Sequence, residues 1–182
     1  MTKHRLPGLL SLAAVALVGW LSGADRGKPP EASWVEVHPG VLRTRSLPAG
    51  YALVDGSTAL LIDAPQDAGG LKAHGIKHVD GVLLTHHHRD TCAAVSRFLA
   101  DGTAVRAAKA SAEWLTPENV RKHWQTALPL RTSRAAYLVV PLGLAGIQYT
   151  LAPEQTIDWH GWTITIVETP GHARDHLAFL AR

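Results

Sequence analysis

Hydrophobic and polar positions along this chain change period several times. From Trp34 they alternate in short runs, and Val35 to Arg45, Tyr51 to Val54 and Thr58 to Ile62 read as strands. Leu47-Pro48-Ala49-Gly50 and Asp55-Gly56-Ser57 punctuate them as turns. Gln66 to Gly75 reads as a loop or short helix. Gly81-Val82-Leu83-Leu84 is continuously apolar, as in a strand buried on both faces. The period then lengthens. A helix is predicted to begin at Asp90 or Thr91, either of which can cap it, and to end at Asp101-Gly102. Its buried face carries Cys92, Val95, Phe98 and Leu99. Ala104 to Ala107 reads as a strand, and Ser111 to Thr126 as a second helix with Trp114 and Trp124 in the core. Arg131 to Gly146 has no clear period. Thr156 to Trp159 and Trp162 to Val167 form a hairpin about His160-Gly161. Thr169-Pro170-Gly171 breaks the second of these strands, and His176 to Leu180 starts another. Strands alternating with helices predict one α/β or α+β layered domain over 34–182.

A different pattern precedes that domain. Lys3, His4 and Arg5 form a basic start, Leu9 to Leu21 is largely apolar, and Ser22-Gly23-Ala24 supplies small residues. Residues 1–24 therefore read as a signal peptide and 25–33, with Pro29-Pro30, as a linker. Leu9 to Leu21 is shorter than the roughly 18 residues of a membrane span. The expected location is secreted or periplasmic, with a membrane as partner only if this segment stays uncleaved.

Composition narrows the chemistry. The chain has 182 residues, of which 46% are hydrophobic and 18% charged, a globular balance. The net charge is +3, and setting aside Lys3 and Arg5 leaves 16 basic against 15 acidic side chains, or +1. So even a balance gives no electrostatic reason to expect nucleic acid. Cys92 is the single cysteine, which excludes an internal disulfide and a cysteine-based zinc ribbon; it reads as a small buried residue. No G-x-S-x-G, P-loop or G-x-G-x-x-G string is present.

Histidine is the anomaly, with 11 in the chain. In an extended segment after a buried strand, His86 and His88 point to one side and His87 to the other. Asp90 lies close enough to turn a carboxylate towards the same point, and a Pro-Gly turn presents His172 after a second strand. Three imidazoles and a carboxylate at strand ends can hold a metal and leave room for water. His87 and His176 read as supporting or packing residues. His4, His38, His74, His78 and His123 read as surface residues.

Three strings carry a family resemblance: "LLIDAP" (Leu60 to Pro65), "VLLTHHHRD" (Val82 to Asp90) and "ETPGHARDHLAFL" (Glu168 to Leu180). On these, Trp34 to Arg182 resembles the N-terminal portion of the metallo-β-lactamase fold superfamily, whose motif is H-x-H-x-D-H with a later histidine after Pro-Gly. The resemblance implies a four-layer αββα sandwich, with its second half incomplete in this chain. It implies His86, His88 and His172 as a three-histidine metal site, Asp90 as ligand of a second metal, and Asp63 as an acidic support from the preceding strand. Thr91 stands where the motif has its last histidine. A hydroxyl is a poor zinc ligand, so the second site is weakened, and weak hydrolysis is expected from this chain alone.

These readings converge on a metal-dependent hydrolase of a small-molecule ester, thioester, lactone or lactam. Zinc is the implied cofactor, one ion or two, with iron as the alternative. Asp90 is the candidate catalytic residue, orienting a water or taking its proton. Two rivals stand beside this reading: a mononuclear iron oxidoreductase resembling the sulfur dioxygenases, and a catalytically silent metal-binding domain of a longer protein. For the N-terminal segment, residues 1–30 fused to a reporter are expected to direct export with cleavage after Ala24. N-terminal sequencing of the exported reporter checks this, and a membrane-bound product starting at Met1 would establish an anchor instead.

Overall fold

A computed structural model describes residues 33–127 and 138–182. The predicted signal segment 1–24 and residues 25–32 of the linker lie outside the described residues, as does part of the aperiodic stretch from Arg131. Seven strands form one sheet in chain order: β1 (Trp34–His38), β2 (Val41–Thr44), β3 (Tyr51–Asp55), β4 (Thr58–Ile62), β5 (His78–Leu83), β6 (Ala104–Ala108) and β7 (Gln148–Leu151). Strands β1 to β4 pair antiparallel, β1 with β2 and β3 with β4 through two-residue turns and β2 with β3 through a loop over 45–50, and β4 to β7 pair parallel. A second sheet holds β8 (Thr156–Trp159), β9 (Trp162–Glu168) and β10 (Leu177–Ala181), antiparallel in the order β10-β9-β8.

The switch from antiparallel to parallel pairing follows from the connections. A two-residue turn reverses the chain, whereas a parallel return needs a crossover. Helix α1 (Val95–Ala100) lies in the crossover from β5 to β6. The short α2 (Ala112–Leu115) and α3 (Pro117–Ala127) lie in the crossover from β6 to β7.

Apolar side chains separate into two cores. Leu61, Val82 and Val105 point to one face of the large sheet, where they meet Val95, Leu115 and Val120 of the helices. Leu60 and Leu83, next to them in sequence, point to the other face and pack with Ile164, Ile166 and Leu177 of the small sheet. The continuous apolar run at Gly81 to Leu84 is thus explained: a strand with partners on both faces has no polar face. Among the described residues the layers are helix, large sheet and small sheet, and no helix covers the outer face of the small sheet. None of the described helices is long and apolar enough to cross a membrane.

The elements depart from the sequence reading at four places. The single strand read over Val35 to Arg45 is two strands, because Pro39 and Gly40 reverse the chain and Gly40 takes a left-handed φ of 74°. The helix expected from Asp90 or Thr91 begins at Val95. Its N-cap is Ala94, without a side-chain cap, and Arg89 to Ala94 form successive turns. Ser111 to Thr126 is interrupted at Thr116, whose ψ of 142° is extended. Pro117 forbids a helical residue before it and starts α3 afresh. Strand β7 escaped the reading because its pattern at the sheet edge is mostly exposed.

Leu61 is fully buried and Leu142 is 80% exposed. Leu61→Ala is expected to cost about 2–5 kcal/mol of unfolding free energy, through lost burial and a cavity. Leu142→Ala is expected to stay within about 0.5 kcal/mol. Chemical denaturation of both variants checks the assignment of the core.

Candidate metal centre

The carboxyl ends of β4, β5 and β6 lie side by side at one edge of the large sheet, and the site is built on the loops that leave them. Asp63 follows β4 in a left-handed conformation, φ 61°, unusual for a residue with a side chain. Its amide donates to the Leu83 carbonyl at 2.9 Å. Its carboxylate accepts the Thr85 amide on Oδ1 and the Thr85 hydroxyl on Oδ2, both at 2.8 Å. Burial raises the Asp63 pKa to about 7 against the lowering effect of these Thr85 bonds.

Thr85 passes this constraint to His86. Its Oγ1 lies 2.8 Å from His86 Nδ1. A threonine hydroxyl has one proton, and with Asp63 ionised that proton goes to the carboxylate. The oxygen must then accept from Nδ1–H, which leaves the lone pair of His86 on Nε2. That Nε2 atom is buried and has no hydrogen-bond partner. Burial, then the neighbouring His88, His176 and His172, lower the His86 pKa to about 3. His88 is lowered as well, by burial first and then by His87 and His172. Both imidazoles are therefore neutral at ordinary pH, the form that binds metal.

The third imidazole comes from the other sheet. After β9, Pro170-Gly171 turns the chain and presents His172 from an exposed position. Ring centroids are 4.5 Å apart for His86 and His88, 5.0 Å for His86 and His172, and 4.6 Å for His88 and His172. One nitrogen from each of the three falls within 4.8 Å of the other two. An orphaned buried nitrogen facing two further imidazoles is a donor set that fits zinc, or another divalent metal with a taste for imidazole.

The remaining predicted residues take other places. Asp90 is exposed, accepts the Thr91 amide on Oδ1 at 3.0 Å, and lies outside the three-histidine set. Thr91 is buried, and its hydroxyl donates to the His88 carbonyl at 2.8 Å. His176 stands beside the set, its ring 4.8 Å from that of His86, with Nδ1 2.7 Å from Thr169 Oγ1. His87 faces away from the set. It stacks on Trp114 at 5.1 Å and bonds Asp175 through Nδ1 at 2.8 Å.

Asp175 and Ser111, both buried, were not singled out by the sequence. The charged string "HARDH" was the available signal, but no periodicity attaches to a loop. Cys92 is buried, and burial raises its thiol pKa further above its ordinary value, so it is an inert packing residue. His38 and His78 are exposed as expected, and His4 lies outside the described residues. His74 and His123 are half-buried instead; His123 packs between the rings of Trp114 and Trp124. A cleft of about 900 Å³ opens beside the centre, with His86, His172 and His176 at one end and Leu53, Ile164 and Phe179 along its walls.

No family model and no curated relative matches the chain. Solved structures match its fold. A metallo-β-lactamase of Cronobacter sakazakii with a HARLDQ motif is 22% identical at a TM-score of 0.59, covering 82% of this chain and 59% of its own. A subclass B3 metallo-β-lactamase from a soil metagenome library is 19% identical at 0.64, covering 82% and 57%. An archaeal metallo-β-lactamase superfamily protein of Sulfolobus tokodaii is 20% identical at 0.57, covering 73% and 54%. The fold is that of the metallo-β-lactamase superfamily, and the chain spans less than two thirds of the length of these structures.

With Thr91 in place of an imidazole, the chain is expected to bind about one zinc ion, as elemental analysis after gel filtration will show. His88→Ala is expected to weaken zinc binding far more than His87→Ala, because only His88 faces the set. Equal losses by calorimetry would mean that the segment does not hold zinc in this geometry.

Proposed function

We propose that the chain acts as an exported, metal-dependent hydrolase on an ester, thioester, lactone or lactam of a small molecule. The observation that carries this reading is the buried, partnerless Nε2 of His86, turned to the same point as nitrogens of His88 and His172. His86, His88 and His172 would hold a zinc ion through these nitrogens, and the bound ion would supply an acidified water and a Lewis acid for a carbonyl. With Asp63 ionised, Asp63 and Thr85 hold the His86 ring in one tautomer. The exposed carboxylate of Asp90, whose charge acts on His88, is assigned to orient the water and accept its proton. The apolar cleft wall takes the non-reacting part of the substrate.

One feature favours a mononuclear iron oxidoreductase as the second reading. The Thr91 hydroxyl commits its proton to the His88 carbonyl, and a neutral hydroxyl is a weaker ligand than an imidazole, so the position favours a single metal. Metal analysis of the protein as isolated separates iron from zinc.

The test is turnover of the zinc-loaded protein on a panel of esters, thioesters, lactones and β-lactams. Weak turnover is expected, removed by a chelator and restored by zinc. His172→Ala is expected to reduce it by more than the roughly 10- to 100-fold typical of an outer partner, since it removes a ligand outright. Turnover that survives His172→Ala and chelation would refute the reading.

A further inference from the structure

His172 is the weakest-held of the three imidazoles. It is exposed, and it sits on a turn between two strands of the smaller sheet. His86 and His88 instead lie buried on a segment leaving the centre of the large sheet. The distance between the two groups is set by whatever fastens the 171–176 turn to the large sheet. Among the described residues, two hydrogen-bonded fastenings stand out. Leu177 donates its amide to the Thr85 carbonyl at 2.8 Å. The other is Asp175.

Asp175 is 5% exposed and grips two segments at once. Oδ1 takes His87 Nδ1 at 2.8 Å, and Oδ2 takes the Ser111 hydroxyl at 2.6 Å. His87 lies between the two ligands of the large sheet and is braced on its far side by the Trp114 ring, 5.1 Å away and nearly parallel. Ser111 is 1% exposed and ends the turn that follows β6. Buried carboxylates are costly unless their oxygens are satisfied, and here two donors from two different loops satisfy them. The middle histidine of the triple string thereby becomes an anchor for the turn that carries the third ligand.

We propose that Asp175 is a positioning residue: by clamping the 171–176 turn to His87 and Ser111, it sets His172 opposite His86 and His88. This rests on the reading of those three histidines as a metal centre. It assigns a role to two residues, Asp175 and Ser111, that touch none of the metal-facing nitrogens. Losing one hydrogen-bonded grip should let the turn drift, leaving each ligand present but the set misaligned.

The experiment compares the parent protein with Asp175→Asn, His87→Phe and, as a control, Val120→Ala, a core change on α3. His87→Phe keeps a ring against Trp114 and removes only the grip on Asp175. Amide hydrogen exchange is measured without metal, zinc affinity by competition with a chelator, and the visible spectrum after cobalt substitution. Asp175→Asn and His87→Phe are expected to speed exchange across residues 171–177 and to weaken zinc about 10- to 100-fold, as loss of an outer partner does. Their cobalt spectra are expected to change in intensity and position. Val120→Ala is expected to lower the melting temperature while leaving zinc affinity and the cobalt spectrum alone. If Asp175→Asn does not fold, His87→Phe decides alone. Unchanged exchange over 171–177 in the folded variants overturns the clamp, and so does unchanged zinc affinity where the parent binds zinc. A parent that binds no zinc sinks the metal reading instead, and exchange over the turn then decides the clamp by itself.

Discussion

The single proton of one hydroxyl holds the candidate metal centre in order. Thr85 Oγ1 has two neighbours at 2.8 Å, a carboxylate and an imidazole nitrogen, and it can donate to only one of them. An ionised Asp63 can only accept, so the imidazole is left to donate and its other nitrogen is fixed as a lone pair. The cost of this arrangement falls on Asp63. A non-glycine residue at φ 61° carries strain on the order of 1–3 kcal/mol, and its carboxylate is buried enough to titrate near 7. Strain and desolvation are both concentrated at the residue that orients His86, where geometry matters most.

The sandwich explains why such a residue can be held at all. Parallel strands place their carboxyl ends at a common edge, so the loops after β4, β5 and β6 deliver Asp63, the histidine string and Ser111 to neighbouring positions. The backbone continues the pairing just beyond the strands, with Asp63 bonded to Leu83 and Leu84 bonded to Arg106. The second sheet packs across the opposite face from the helices and brings its own loop, with His172, to the same edge. The centre therefore lies at a seam. Two of its histidines belong to one sheet and one to the other, and its integrity depends on contacts that cross between them.

How much of this was legible depended on whether a signal was periodic or local. The buried strand before Thr85 showed as a continuous apolar run, because both of its faces meet other layers. The hairpin of β8 and β9 showed through His160-Gly161, where the chain takes φ values of 45° and 83°. His86, His88 and His172 could be singled out because period-two geometry and a Pro-Gly break act within a few residues. What failed was decided by local side-chain bonds, by proline or by contacts distant in sequence. Thr91 looked like a helix cap, but its hydroxyl bonds the His88 carbonyl and the helix waits until Val95. Asp90, read as close enough to join the histidines, is exposed beside them and accepts the Thr91 amide. Asp175 gave no local sign of its role, because its partners lie 88 and 64 residues away in sequence.

Three consecutive histidines thus acquire three environments from one stretch of backbone. His86 is held through Thr85 and offers a bare nitrogen inward. His88, two residues on, shares that side, and its backbone carbonyl anchors Thr91. His87 is turned by the same alternation into the interior between Trp114 and Asp175, where an apolar residue could stack but could not bond the carboxylate. An imidazole is suited to that place because one face is flat and apolar while its edge donates a hydrogen bond. The triple string is therefore not redundant ligation. Its outer members face His172, and its middle member joins the two sheets that must stay in register for the outer ones to have a third partner.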